Sequence, residues 1–337
     1  MTRLKLALKF IFYPLPIHFL LFVYFYKDPF KVLYHYDAYY QPEDTFYFSM
    51  CYDRITTHTF IQNYPAHKYD SYIFGSSRSG FFDVNTWGKH VGSDHYYNFS
   101  TAMESLYGVE RKFQMLKDRK IPIKNALIAL DDEILGVVAN QSGHLLIKDP
   151  LITGESRFAF QAQFFKDFFE KDFIIPYLHM LFSPHPYAYA LTDPIFMPHT
   201  MRYDVNTNEY VMDEADNKLR TDSIKYYETR KNIFYKRDTT TLHYAKPAIG
   251  VVQKSLLVNI KEILSQDNAS YRIVINPLYD QLKMDTTDIK TLREIFGAQN
   301  VFDFSGINDI TNNEYNYYEA SHYRPRVADW MMNVIYK

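Results

Sequence analysis

Cysteine is almost missing from this chain. Cys51 stands alone among 337 residues, which excludes an internal disulfide framework and any zinc site built from several cysteines. A lone cysteine leaves the redox compartment open and is compatible with a bacterial periplasm. Neither sign of charge prevails. With 37 basic and 39 acidic residues the net charge is -2, so the basic excess that binding to a phosphate backbone exploits is lacking, and nucleic acid drops out as an expected ligand. No internal repeat, low-complexity tract or His-Glu-x-x-His pattern occurs, and the histidines, His185 and His199 among them, read as surface or packing residues. What the chain does have is apolar bulk. Hydrophobic residues make up 47% of it, enough for the core of one large domain or two ordinary ones. Its 31 Tyr and 27 Phe suit a protein that offers amphipathic surfaces to sugars, lipids or partners, or they reflect composition bias alone.

The amino terminus reads "MTRLKLALKFIFYPLPIHFLLFVYFYKDPF", with Arg3, Lys5 and Lys9 ahead of an uncharged run from Phe10 to Tyr26. As a helix that run would measure roughly 26 Å, close to the ~30 Å hydrocarbon layer of a bilayer, and Leu6 to Leu8 extend it. No small-residue cleavage site follows. The expectation is an uncleaved anchor over residues 1–30, with the amino terminus in the cytoplasm and the remainder outside. A buried or interfacial helix is the alternative, favoured by Pro14, Pro16 and His18.

Residues 31–68 have no clear period and read as a membrane-proximal lead-in, so the domain proper is expected at 69–337. Short apolar runs at 71–75, 94–100, 125–131, 271–277 and 300–305 read as strands. Between them, residues 101–119 place Met103, Leu106, Val109, Phe113 and Leu116 on one helical face, and further helical patterns fall at 251–265 and 286–296. Strands alternating with helices predict an α/β fold, a flavodoxin-like three-layer parallel sheet behind an N-terminal transmembrane helix. A large insertion at about 132–250 interrupts it. Within it, "FAFQAQFFKDFFEKDF" (158–173) predicts an aromatic helix packed on the core, the prolines of 183–199 an irregular path, and 202–212 a hairpin turning at Asn206-Thr207-Asn208.

Ligands of parallel α/β sheets bind beyond the carboxyl ends of the strands. Ser76, Ser77 and Ser79 of "FGSSRS" fall there, directly after the first strand. A serine nucleophile needs a base, and the base an orienting group. Near the other end of the chain, "EASH" puts Glu319 three residues before His322, and Pro325 then opens an apolar helix. Both side chains fall in one loop on the same rim as Ser77. A Gly-x-Ser-x-Gly elbow of the α/β-hydrolase kind is excluded, because Ser79 stands where its second glycine belongs.

These blocks resemble the SGNH hydrolase superfamily, in particular its membrane-anchored branch with the D-alanyl transfer proteins of teichoic-acid modification and the alginate O-acetylation proteins. The resemblance covers about residues 70–135 and 250–337. It implies Ser77 as nucleophile, His322 as general base and Glu319 in the place of the family's aspartate. The block "YNFSTAMES" stands where relatives build the oxyanion hole, which points to Asn98 and Ser100. The family's Gly-x-Asn-Asp block is absent after the third strand, where Asp131 and Asp132 stand instead; their charge opposes an oxyanion unless protonated or turned away. Arg78 has two open roles, binding an anionic group or pairing with an acid such as Asp83.

The resemblance implies a serine esterase or O-acyltransferase of a bacterial inner membrane, its domain in the periplasm, acting on a cell-envelope polysaccharide through an acyl-serine. A membrane-bound O-acyltransferase is the implied partner, and no metal or organic cofactor is implied. The alternative is an inactive SGNH-like accessory or polysaccharide-binding protein of an envelope O-acylation system.

Overall fold

The computed structural model describes residues 15–39, 46–48, 50–183, 196–198 and 202–337. Leu15–Lys27 forms helix α1, whose 13 residues measure roughly 20 Å. Among the described residues no helix is long and apolar enough to cross a membrane. The basic residues Arg3, Lys5 and Lys9, and the start of the apolar run at Phe10, lie outside the described residues. Residues expected as a lead-in form helix α2 (Tyr52–His67), whose Phe60 is fully buried in the main core.

Strand β1 (Ser71–Phe74) follows, then α3 (Val84–Val91), started by the Asp83 carboxylate, which accepts the Thr86 N–H. Strand β2 (Tyr96–Asn98) leads to α4 (Leu106–Asp118), capped by Ser105, whose side chain accepts the Gly108 N–H. The expected start of that helix at 101 is corrected here. Met103 sits ahead of the cap in a left-handed turn with φ 50°, exposed, while Leu106, Val109, Phe113 and Leu116 are buried. Strand β3 (Asn125–Leu130) is buried at every position, as a strand covered on both faces must be.

The aromatic stretch at 158–173 is two helices rather than one. Helix α5 (Arg157–Phe168) stops, Glu170 turns to extended backbone with ψ 134°, and α6 (Lys171–Phe182) restarts there. Phe160, Phe164, Phe168 and Phe173 form a satellite core with Val23 and Tyr24 of α1. Most of the proline-rich 183–199, including His185 and His199, lies outside the described residues. The backbone of Arg202–Tyr203 pairs antiparallel with Tyr210–Val211, as the expected hairpin requires. Its tip closes the open edge of β2: Thr207 O accepts the Asn98 N–H at 3.0 Å, and Asn208 Nδ2 donates to Asn98 O at 2.7 Å.

Helix α7 (Val251–Gln266), strand β4 (Ser270–Ile275), helix α8 (Thr286–Phe296), strand β5 (Val301–Asp303) and helix α9 (Pro325–Ile335) complete the domain. The five strands are all parallel in the order β2-β1-β3-β4-β5, the order of flavodoxin-like doubly wound sheets. Strand alternation sends side chains to two cores. Tyr72, Phe74, Ile128 and Ile273 meet Phe60 of α2, Phe113 of α4, Leu257 of α7 and Leu292 of α8. Ile73, Leu127, Ala129 and Val274 meet Trp87 of α3 and Met331 of α9. The fold is thus three-layered α/β with the carboxyl ends of β1 and β3 side by side.

Candidate active site

The chain leaves β1 at Gly75, where φ is 154° and a Cβ would lie 2.8 Å from Ala129 O and 2.9 Å from Ser79 Cβ. Only glycine lets the turn lie this close to β3. Ser76 then starts a 3-10 turn over Ser77–Phe81, and its carbonyl accepts both the N–H of Ser79 at 2.9 Å and the Ser79 hydroxyl at 2.7 Å. Ser79 is fully buried; Ser77, two residues earlier, keeps its hydroxyl on the rim.

The opposing wall is a tight antiparallel hairpin, Tyr317–Glu319 against His322–Tyr323, in which Glu319 and His322 are register partners. Glu319 Oε2 accepts the Ser321 N–H at 2.6 Å and so fixes the hairpin's turn, while Oε1 accepts the Nδ1–H of His322. That bond leaves the Nε2 lone pair free to face outward, and Nε2 lies 2.8 Å from Ser77 Oγ, in position to accept the serine proton. Burial pushes the Glu319 carboxyl up, but its hydrogen bond to His322, the imidazole's charge and the Ser321 N–H outweigh this and hold it below the usual range. The Phe81 ring stands edge-on to the imidazole at 5.6 Å and walls one side of it. The side chains of His322 and Glu319 are 28% and 25% exposed, so solvent or a ligand hydroxyl reaches them.

No family model and no curated protein matches the chain.

Three expected site residues, Ser77, His322 and Glu319, are therefore brought together in one hydrogen-bonded line. Arg78 is placed as a brace. Its Nε donates to Ser321 O at 3.0 Å and its Nη1 to Asp131 Oδ2 at 2.8 Å and Glu133 Oε2 at 3.0 Å. Burial alone would lower the guanidinium's pKa, and the charges of Asp131 and Glu133 reverse this. Of the two open roles, Arg78 takes the pairing with an acid, though with Asp131 and Glu133 in place of Asp83, which is taken up at the start of α3. Asp131 is correspondingly turned away from the serine. Its Oδ1 accepts the Ile134 N–H and its Oδ2 also accepts from Asn276 Nδ2 at 3.1 Å, so both oxygens of Asp131 are engaged.

Asn98 and Ser100 are not brought to the triad. The Asn98 amide donates to Ser79 O at 3.1 Å and its carbonyl accepts the Ser100 N–H at 3.0 Å, both fully inside the protein. Asn98 thus holds the turn at Ser79 from below through one of its two amide hydrogens. Ser100 is buried, with its carbonyl accepting the Thr56 hydroxyl at 3.1 Å.

Sequence reading missed what holds the base. Tyr323 OH donates to Asn276 Oδ1 at 3.2 Å and Tyr317 OH to Pro277 O at 2.9 Å, tying the hairpin to the exit of β4. From the insertion, Tyr226 OH donates to Tyr318 O at 3.0 Å and Tyr227 OH to Tyr317 O at 3.0 Å, while Tyr318 OH donates to Asp216 at 2.5 Å. Phenol-to-carbonyl contacts follow no sequence pattern, and nothing in residues 213–228 signals them. This stretch of the insertion clamps the hairpin that carries His322.

Proposed function

We propose that the chain is a membrane-anchored serine acyl-ester hydrolase or acyltransferase of SGNH type, acting on a cell-envelope polysaccharide. The observation that carries the reading is the 2.8 Å contact from Ser77 Oγ to His322 Nε2, with Glu319 on the far ring nitrogen. Its position past the carboxyl ends of a parallel sheet supports the same reading. Ser77 attacks an acyl carbonyl as His322 takes its proton, and the imidazolium is steadied by Glu319. The bond from the acyl carbon to the leaving oxygen breaks, and His322 returns the proton to that oxygen. The acyl-serine then passes its acyl group to water or a sugar hydroxyl, with His322 again accepting the proton.

The basic, apolar amino-terminal segment supports placement at a bacterial inner membrane with the domain in the periplasm, beside a membrane-bound O-acyltransferase that delivers the acyl group. An inactive accessory is favoured by one observation, that Asn98 and Arg78 are both committed to internal partners. A fluorophosphonate serine probe separates the readings. The full chain should label, and Ser77→Ala and His322→Ala should both lose the label; a folded wild type that never labels would assign the accessory role. Release of the protein from membranes by carbonate without detergent would sink the anchor.

A further inference from the structure

The burial of α1 is one-sided although its composition is not. Leu20, Val23 and Tyr24 pack inward on the satellite core. Leu15, Phe19, Phe22 and Tyr26, spaced i, i+4, i+7 and i+11 on the opposite row, are all exposed. The exposed apolar surface does not stop at α1. Phe19 stacks on Phe182 of α6 at 6.5 Å, and Tyr24 meets Phe165 of α5, which contacts Phe169 at 5.1 Å. Phe182 is 76% exposed, and Phe165 and Phe169 more than a third. Phe19 and Phe182 therefore join the exposed sides of α1 and α6, and the part-exposed Phe165 and Phe169 lie beyond the buried Tyr24 at the end of α5.

We infer that this face of α1, α5 and α6 seats on the surface of a bilayer, its rings at the boundary between headgroups and acyl chains. The occupant follows from the chain that runs into it. Residues 1–14, ahead of α1, carry Arg3, Lys5 and Lys9 and no acidic residue among apolar ones, which is the chemistry of an anionic lipid surface. The uncharged run that begins there, at Phe10, continues through the exposed row of α1 as far as Tyr26. A Tyr ring suits that boundary because it buries an apolar body and keeps its hydroxyl wet, and Phe rings supply the apolar area beneath. The globular domain then lies on the membrane instead of hanging from a stalk. The inference rests on the membrane attachment of the proposed function, with residues 15–27 lying at the interface and not crossing the bilayer, and is independent of its chemistry.

The test uses the full chain reconstituted into vesicles containing phosphatidylglycerol, with an environment-sensitive NBD label on a single introduced cysteine. Cys51 is buried and stays unlabelled under native conditions. Phe12→Cys reports the anchor, Phe182→Cys the proposed seat, and Val251→Cys, 89% exposed at the start of α7, a surface outside the three helices. Labels at 12 and 182 should brighten several-fold and shift to the blue, while 251 stays water-like. A shift at 12 without one at 182 leaves the anchor standing and overturns the seat. No shift at either position overturns both. Equal shifts at 182 and 251 would mean unspecific adsorption and overturn the seat. A shift at 182 that appears in vesicle-free detergent and grows with protein concentration would give the face to a second copy, and overturn it too.

Discussion

Arg78 Nε donates to the main-chain carbonyl of Ser321 at 3.0 Å, across 243 residues of sequence, and so ties the nucleophile's turn directly to the loop of its base. The same guanidinium holds Asp131 at the end of β3. Arg78→Met should therefore let Ser77 and His322 drift apart, lowering the rate of fluorophosphonate labelling by roughly tenfold to a hundredfold. Arg78→Lys should recover only part of it, since a point charge can pair with Asp131 but lacks the fork that also reaches Ser321. Labelling at the wild-type rate in Arg78→Met would show that the brace has no bearing on the site.

Glu319 is held ionised by the partners it accepts from. Replacing it with glutamine keeps the size and removes the charge that steadies the imidazolium and selects its tautomer. Labelling of Glu319→Gln should fall by roughly 10²- to 10⁴-fold. Glu319→Asp, which keeps the charge on a shorter stem, should fall between that and wild type. Equal rates for the glutamine and wild-type proteins would remove Glu319 from the proposed mechanism.

The clamp from the insertion makes a separate claim. Tyr226→Phe removes a buried hydrogen bond to the base hairpin and Asp216→Ala a half-buried one, each of which should cost about 1 kcal/mol in urea unfolding. If residues 213–228 support the base, labelling should slow by more than this loss of stability explains, at a temperature where both variants are fully folded. A stability loss with unchanged labelling would make the contacts purely structural.

Glu209 provides a pH test away from the triad. Burial, with the charges of Asp83 and Asp204, raises its carboxyl from 4.5 to about 7, although its side chain accepts the Val84 N–H at 2.7 Å and the Thr207 hydroxyl at 3.0 Å. The folded protein then holds a proton that the unfolded chain has released. Stability from this group is complete below about pH 4.5 and is lost as pH rises through about 7, by at most about 3 kcal/mol. Glu209→Gln should flatten that fall when urea unfolding at pH 5 is compared with pH 8. An equal fall in both proteins would place its cause elsewhere.

Much of the sheet was legible because fully buried strands leave runs such as "NALIAL", and each run is followed by a helical pattern. Ser77, His322 and Glu319 were legible for a related reason: each sits just past an element whose end could be read. The partners of Arg78 were not. Asp83 is near in sequence, but strand order puts the end of β3 beside the end of β1, and Asp131 wins by that adjacency. The direction of the Asn98 amide, down to Ser79 O, is one that its position at the end of β2 does not encode. The break at Glu170 was hidden by the phenylalanines, whose helical spacing continues across it.

Ser77 and His322 touch across 245 positions of the chain. The serine's turn, with β1 and β3 beneath it, is complete once about 130 residues have been made, yet its base arrives only when some nine-tenths of the chain exists. On the proposed mechanism, a chain stopped between the end of β3 and His322 holds Ser77 without its base. If Ser77 is the nucleophile, the order of the residues along the chain makes its activation wait for the hairpin at 317–323.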